Sequence, residues 1–447
     1  MNGAPLWLKC LPAGLGQRLR DRPELLAVVH NAGWLFADKA LRMAVGVLVG
    51  AWVARYLGPS QFGEMAYVLS YVALFSAVAQ LGLDSVAVRD MARQPSASAQ
   101  VLGTVLRLRL LAGATAWAGA VALMAVLRPG DSQTLLLTAV CAASLALQAA
   151  DTVDLWFQSR TQSRRTVIAK GYAYLASNGM KVLLILAQAP LLAFVVVTVV
   201  ELALCAAVLY WQYRRFPADS AWRWSWPHAR ELLRESLPYM VAGLAVLVYM
   251  RIDQVMIRGM VGEHELGLYS AMLPLSSALH FVPMALCTSL APSLARMRQH
   301  NPAGYQLAVA RLFSTMWWLM IPLAAAVSAL AGPIVTVLYG PAFSEAAPML
   351  ALHVFTAVPV ALGVAQNIWI VNEGRNLISL YRTVMGAVCN VALNLLLIPS
   401  YGGMGAAAAT IAAQSVAAVL SNLLLAPAMF RLQLSALVSF RQAASIK

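Results

Sequence analysis

The sequence predicts an all-α, polytopic membrane protein of about twelve transmembrane helices in two pseudo-symmetric six-helix bundles. Three observations predict it. Apolar side chains make up 61% of the 447 residues and charged ones only 11%, where a soluble domain carries about 25% charged residues. Apolar runs of roughly twenty residues, enough to cross ~30 Å of hydrocarbon as a helix, recur along nearly the whole chain. Basic residues gather at alternate ends of those runs. Helices are the expected element because lipid offers an unpaired backbone group no partner.

The segments follow in order. The first, 31–54, leaves a tail bearing Lys9, Arg18, Arg20 and Arg22 and ends at Arg55-Tyr56-Leu57-Gly58-Pro59. The second, 64–88, closes on Arg89 and Arg93. The third, 108–127, lies between Arg107 and Arg128. The fourth, 132–157, ends before Arg160, Arg164 and Arg165. The fifth and sixth, 166–187 and 191–213, turn at Ala189-Pro190. A polar break follows over 214–235, with Trp222, Trp224 and Trp226 among its charges, where interfacial tryptophans are expected at the headgroup level. The seventh and eighth, 236–257 and 267–295, flank Arg258–Gly267. The ninth to twelfth cover 311–330, 345–371, 376–398 and 404–430.

Twenty-five Lys and Arg residues fall at ends that share one side, including Arg109, Lys170 and Arg382; only Arg55, Arg128 and Arg258 fall at the opposite ends. Lys39, Arg42, Lys181 and Arg251 remain within the span. By the positive-inside rule both termini are cytoplasmic and the segment count is even. The net charge of +14 is therefore a topology signal. Membrane lipids, not nucleic acid, are the expected surroundings. The start of the chain shows no cleavable signal peptide; residues 6–19 suit either a surface amphipathic helix or a tail. Cys10, Cys141, Cys205, Cys287 and Cys389 are scattered without CxxC spacing, which indicates neither a disulfide framework nor a metal site. No cofactor is implied.

The expected organisation is a cytoplasmic N-terminal tail 1–30, a bundle 31–213, a cytoplasmic linker 214–235, a second bundle 236–430 and a tail 431–447. The halves echo each other: Gly58-x4-Gly63 recurs as Gly262-x4-Gly267, 204 residues on, in the corresponding turn. Both copies link an outgoing segment to a returning one, so the repeat is parallel, about an axis along the membrane normal. Two such bundles around a cleft suit alternating access. No P-loop, HExxH or GxSxG is present, so the chain reads as a non-enzyme. Any energy then comes from an ion gradient, the membrane potential or the substrate's own gradient.

Ionisable groups inside the span are the sharpest candidates, each costing at least ~2.5–3.5 kcal/mol at a helix centre. Asp38 and Arg42 are four apart and suited to pairing, while Lys39 adds a second cation to a face that would hold a phosphate. Arg251 and Asp253, spaced by two, point to different faces, and a cavity role competes with snorkelling. Lys181 and Glu201 sit at similar depth on consecutive antiparallel segments, as a structural ion pair or a proton- or cation-coupling site. Asp151 with Asp154, and Asp84 with Arg89, read as interfacial salt bridges. His280 and His353 could relay protons or simply be hydrogen-bonded. Prolines 238, 274, 283, 292, 322, 348 and 359 kink the second half, as helices beside mobile cavities often are.

Several motifs stand in order along the chain: residues 34–43 and 54–63, Leu81-Gly82-Leu83-Asp84, Leu102-Gly103-Thr104, Ile252-Asp253-Gln254-Val255-Met256, Gly267-Leu268-Tyr269-Ser270, residues 393–399 and Tyr401-Gly402-Gly403-Met404-Gly405. Together they resemble bacterial polysaccharide (O-antigen) flippases of the multidrug/oligosaccharidyl-lipid/polysaccharide exporter superfamily. The resemblance spans about 30 to 425. It implies two six-helix lobes, a charged central cavity, and an undecaprenyl-diphosphate-linked oligosaccharide moved across the bacterial inner membrane for lipopolysaccharide or another surface polysaccharide. In that picture Lys39, Arg42 and Arg251, with Asp38 and Asp253 beside them, meet the diphosphate and sugars. Proton or sodium coupling and association with polysaccharide polymerase machinery accompany it. One departure stands out: helix eight carries Ser276-Ser277 where the family suggests an acidic residue, which weakens ion coupling there. The alternatives are a cation-coupled drug or metabolite exporter, a peptidoglycan-precursor flippase, and a polytopic glycosyltransferase or polymerase, whose large acidic extramembrane loop has no counterpart here.

Overall fold

The computed structural model describes the backbone of residues 23–160, 162–215 and 222–438, and the side chains of these except 23–38, 163, 164 and 438. The 6–19 segment, Cys10 and the Asp38 side chain lie outside the described residues. The chain divides into two compact units, 1–50 and 51–447. The first contributes the start of a long helix, α1 (Pro23–Gln80), which continues into the second.

Every regular element among the described residues is helical. After α1 come α2 (Asp84–Arg93), α3 (Ser98–Leu127), α4 (Ser132–Leu147), α5 (Asp151–Ser159), α6 (Ser163–Leu186) and α7 (Leu191–Arg214). Past the connector lie α8 (Trp226–Met260), α9 (Glu263–Ala278), α10 (Phe281–His300), α11 (Pro302–Ala329), α12 (Ala331–Tyr339), α13 (Ala346–His353), α14 (Ala357–Asn372) and α15 (Asn376–Ser415). A π turn (Val416–Leu420), α16 (Asn422–Leu425) and α17 (Pro427–Val438) complete the chain.

Among the described residues nine helical rods are long and apolar enough to cross a bilayer. The rod 39–93 is interrupted at Gly58, and the rod 376–425 at Gly402. The 24-residue α6 would reach about 36 Å at 1.5 Å per residue but is less apolar, because Lys170, Asn178 and Lys181 fall within it. Dividing the two rods at their glycines and adding α6 gives the twelve segments of the sequence map. The chain is a polytopic all-α membrane protein. Large apolar side chains such as Val126, Leu186, Leu396 and Leu424 are correspondingly exposed, since lipid is their solvent.

Each hairpin at the arginine-poor ends turns on a left-handed residue: Gly58, Gly130, Gln188, Gly262, Gly340 and Gly402. Five of the six are glycine, the residue without a Cβ penalty there. Within 51–214, α3 packs on α4, α4 on α7 and α6 on α7. Beyond 226, α8 packs on α15, α9 on α13, and α11 and α10 on α14. Cores of aliphatic and aromatic side chains fill each set, one around Leu83, Trp156 and Tyr213, the other around Phe313, Met320 and Leu362.

The connector differs from expectation. Helix begins at Trp226, ten residues ahead of the mapped segment, with Pro227 in its first turn, a position where the missing proline N–H leaves nothing unpaired. Trp222 and Trp224 are half-buried against the first core, and Trp226 is exposed. The Trp222 indole donates to the Tyr213 hydroxyl at 2.8 Å, and Tyr213 stands edge-on to Trp156. Gly103 explains how the connector lies so close: a Cβ there would overlap the backbone of Arg223. Next to it the Thr104 hydroxyl accepts the Ser225 N–H at 3.3 Å.

Candidate functional site

The repeated glycine motif builds a clasp. Gly58 (φ +72°) and Gly262 (φ +132°) each break the chain in the left-handed region, and the following turns lie against each other. A Cβ on Gly63 would overlap the carbonyl oxygen of Glu263, and one on Gly267 would overlap that of Pro59. The two contacts are the same contact exchanged between repeats, because 59 and 263, like 63 and 267, are 204 apart. Such a reciprocal pair is the mark of a local two-fold, and small residues are what let backbones meet this closely in a membrane.

Charged side chains ring the clasp. Arg258 pairs with Glu263 at 3.0 Å and lies over the Tyr67 ring. Arg128 donates to the Arg258 carbonyl at 3.4 Å. Arg55 lies against the Gly340 turn, where a Cβ would come within 3.2 Å of its Nε. Phe62 meets Phe343 edge-on with ring centroids 6.3 Å apart. The three arginines at the arginine-poor ends are therefore all used within one contact zone. Glu64 accepts from Gln133 at 2.8 Å, and Asp131 caps α4 by accepting from the Thr134 N–H at 3.0 Å and its hydroxyl at 2.7 Å. Burial pushes the Asp131 carboxyl up, but these Thr134 bonds, with Arg258 and Arg128 nearby, leave it below its ordinary value.

Deeper in, polar contacts continue between α1 and α8. Ser70 donates to Gln254 at 2.7 Å, both buried. Neighbouring Asp253 is 6% exposed; it accepts from the Tyr269 hydroxyl at 2.5 Å and the Gln254 N–H at 2.7 Å. Tyr269 stands edge-on to His353, whose Nδ1 lies 2.8 Å from the Ser276 hydroxyl. Ser276 thus belongs to a buried chain with a histidine.

The structure separates several of the expected site residues. Arg251 is exposed while Asp253 is turned into the packing, so Asp253 serves Tyr269 and does not line open space; two residues apart on α8, they face different ways. Lys39 is exposed and Arg42 half-buried, both with interactions of their own and both in the unit 1–50. Lys181 lies 4.0 Å from Glu201, which also accepts from Ser177 at 2.6 Å. His280 occupies the break between α9 and α10, and its Nε2 is buried without a hydrogen-bond partner. Lys170 bridges Asp154 at 2.6 Å and Asp151 at 3.3 Å. Asp84 pairs with the fully buried Arg109 in place of Arg89, while Arg89 reaches Glu235 at 2.6 Å. Sequence reading counted two buried cations with the basic ends: Arg109, 1% exposed and paired with Asp84, and Arg382, 8% exposed. The signal for Arg382 was its place, six residues inside an apolar segment.

Comparison with known proteins adds to this geometry. The model of the family described as "Polysaccharide biosynthesis protein" matches residues 52–348. No curated protein matches. Among solved structures, an inward-facing multidrug resistance MATE family transporter of the MOP superfamily superposes with TM-score 0.70 at 14% identity, over 89% of this chain and 96% of that one. The lipid II flippase MurJ, in an inward closed conformation, gives 0.69 at 11% identity over 90% and 91%. An outward-facing MATE transporter of the same superfamily gives 0.57 at 15% identity over 91% and 96%. At these identities the likeness is one of fold.

Proposed function

The chain belongs to the polysaccharide biosynthesis protein family, and from that premise we propose that it flips a lipid-linked oligosaccharide across the bacterial inner membrane by alternating access. The substrate proposed is an undecaprenyl-diphosphate-linked repeat unit of O-antigen or another surface polysaccharide. The observation that carries the reading is the pairing of this family with a fold shared, over about nine-tenths of the chain, with transporters. Among the steps of polysaccharide assembly, moving the lipid-linked sugar is the one that needs helices and a cleft and forms no bond.

The geometry supports it in two ways. With the basic ends cytoplasmic, the Gly63–Gly267 clasp closes the periplasmic side between the proposed bundles 31–213 and 236–430. Rocking of the bundles would part it. The higher similarity to an inward-facing transporter (0.70) than to an outward-facing one (0.57) fits a clasp closed on that side. Lys39, Arg42 and Arg251 are the proposed contacts for the diphosphate, supplying charge-assisted hydrogen bonds to its oxygens. The serine at 276 argues for coupling other than through a carboxylate there, and association with polymerase machinery would receive the flipped unit.

Deletion of the gene tests the reading. Repeat units linked to undecaprenyl diphosphate are expected to accumulate on the cytoplasmic face, and surface polysaccharide to fall. Complementation with Lys39→Ala, Arg42→Ala or Arg251→Ala at equal expression is expected to restore it at least tenfold less well than the unsubstituted chain. Normal surface polysaccharide in the deletion strain overturns the function; full complementation by all three variants overturns the site.

A further inference from the structure

Arg382 differs from the other buried basic side chains. Buried Arg109 and the partly buried Lys170 and Arg258 each pair with a carboxylate, whereas among the described residues no carboxylate lies within 4.0 Å of Arg382. Its partners are neutral oxygens: Nη1 donates to the Gln366 side chain at 3.0 Å and the Gly363 carbonyl at 3.3 Å, and Nη2 to Asn367 at 2.7 Å. These partners are themselves held. The Gln366 amide donates to Asn422 at 2.6 Å, which fixes its oxygen toward the guanidinium. Asn422 in turn donates to Gln433 at 2.9 Å, and both reach the Ala418 carbonyl at 3.1 Å within the π turn. Gln366, Asn422 and Gln433 are completely buried, and π turns recur at functional sites.

In front of this supported cation lies a cavity of about 410 Å³ among α8, α14, α15 and the α9–α10 break. Tyr249 and His280 line it with Arg382, and the Tyr249 hydroxyl and His280 Nε2 are both buried without a hydrogen-bond partner. Each orphaned group has lost the hydrogen bonds water would give it, and an uncompensated charge in the span is costlier still. Water would satisfy the two orphans but would leave the charge unbalanced. Around them the walls are apolar, with Val246 and Met250 of α8 exposed at 40% and 61%, as an amphiphile's entrance requires.

We propose that this cavity binds the phosphoryl group of a lipid, with Arg382, Tyr249 and His280 donating to its oxygens. Three donors from different elements line one cavity, enough for the unesterified oxygens of a phosphate monoester or diester, and guanidinium geometry suits phosphate. The cavity shares no lining residue with the clasp or with Arg251, so it stands or falls apart from the flipping reading.

The test uses purified full-length protein in a neutral detergent, stripped of lipid and titrated with undecaprenyl phosphate, phosphatidylglycerol, undecaprenol or inorganic phosphate, with binding read by thermal shift and native mass spectrometry. One or both phosphorylated lipids are expected to bind at least tenfold more tightly than undecaprenol. A preference for undecaprenyl phosphate assigns the site to an isoprenoid carrier, and a preference for phosphatidylglycerol to the bilayer. Arg382→Gln should weaken that binding at least tenfold, and Tyr249→Phe, which removes no charge and keeps the ring packing, several-fold. Undecaprenol binding equally well, wild-type affinity in folded Tyr249→Phe and Arg382→Gln, no binding by any ligand, or a response to inorganic phosphate alone each overturns the proposal.

Discussion

At the residue scale, Asp131 stands just outside the α4 span. Its carboxylate accepts two bonds from Thr134, and its affinity for protons is lowered in the folded chain despite the opposing effect of burial. A carboxyl lowered on folding adds stability above its ordinary range, and that stability is lost as pH falls through the lowered value. Asp131→Ala should cost about 1 kcal/mol, the usual worth of such a cap, in thermal unfolding at neutral pH. The deficit should shrink on acidification toward pH ~3. A deficit that persists unchanged into acid would show that the cap acts through the side chain's shape and not its charge. The same scale shows what the sequence could express. Lys181 and Glu201 were legible as neighbours because a short turn joins their helices, and depth follows from counting residues. Arg382 was not, because nothing local marks which way a side chain one or two turns inside a helix faces. Its partners Gly363, Gln366 and Asn367 come from another helix, α14, fifteen to nineteen residues away.

At the scale of elements, the glycine pairs decide how the two halves meet. The repeat itself was readable as spacing. That its two copies touch each other was not, since a repeat fixes equivalence and says nothing of contact. Backbones this close leave no room for any side chain at 63 or 267. Gly63→Leu or Gly267→Leu should therefore hold the turns apart without disturbing the helices on either side, whose packing lies elsewhere. Spin labels at Gln61→Cys and His264→Cys, both exposed, in a chain with its native cysteines replaced, read this directly. The leucine variants should move the distance distribution to a longer mean, and a twofold or greater population shift suffices. Distances identical to those of the parent chain would show that the turns yield and that the clasp is not a gate. The connector makes a related point. Its tryptophans were expected at the headgroups on composition alone; that Trp222 also bonds Tyr213 and that Gly103 admits the Arg223 backbone are contacts an isolated stretch of sequence does not reveal.

At the scale of the whole molecule, the charge asymmetry and the clasp bear on each other. The positive-inside bias leaves three exceptions, Arg55, Arg128 and Arg258, and the structure gathers all three around the Gly63 and Gly267 turns. If these ends are the translocated ones, as proposed, an arginine there opposes the topology signal, and the Glu263 pair, the carbonyl contact and the packing against Gly340 offset that. The two roles separate by experiment. Replacing all three with Ala removes nothing the topology depends on and sharpens the asymmetry. Alkaline phosphatase fused after residue 130 or 340 should stay active, and fused after 215 or 374 inactive, in the parent and triple variant alike. The clasp, in contrast, loses its ion pair and a carbonyl contact. The triple variant should thus support surface polysaccharide several-fold less well at equal abundance. Inverted or mixed fusion activity would mean that these arginines set orientation. Unchanged topology with undiminished polysaccharide would mean that the backbone contact of the glycines closes this side without them.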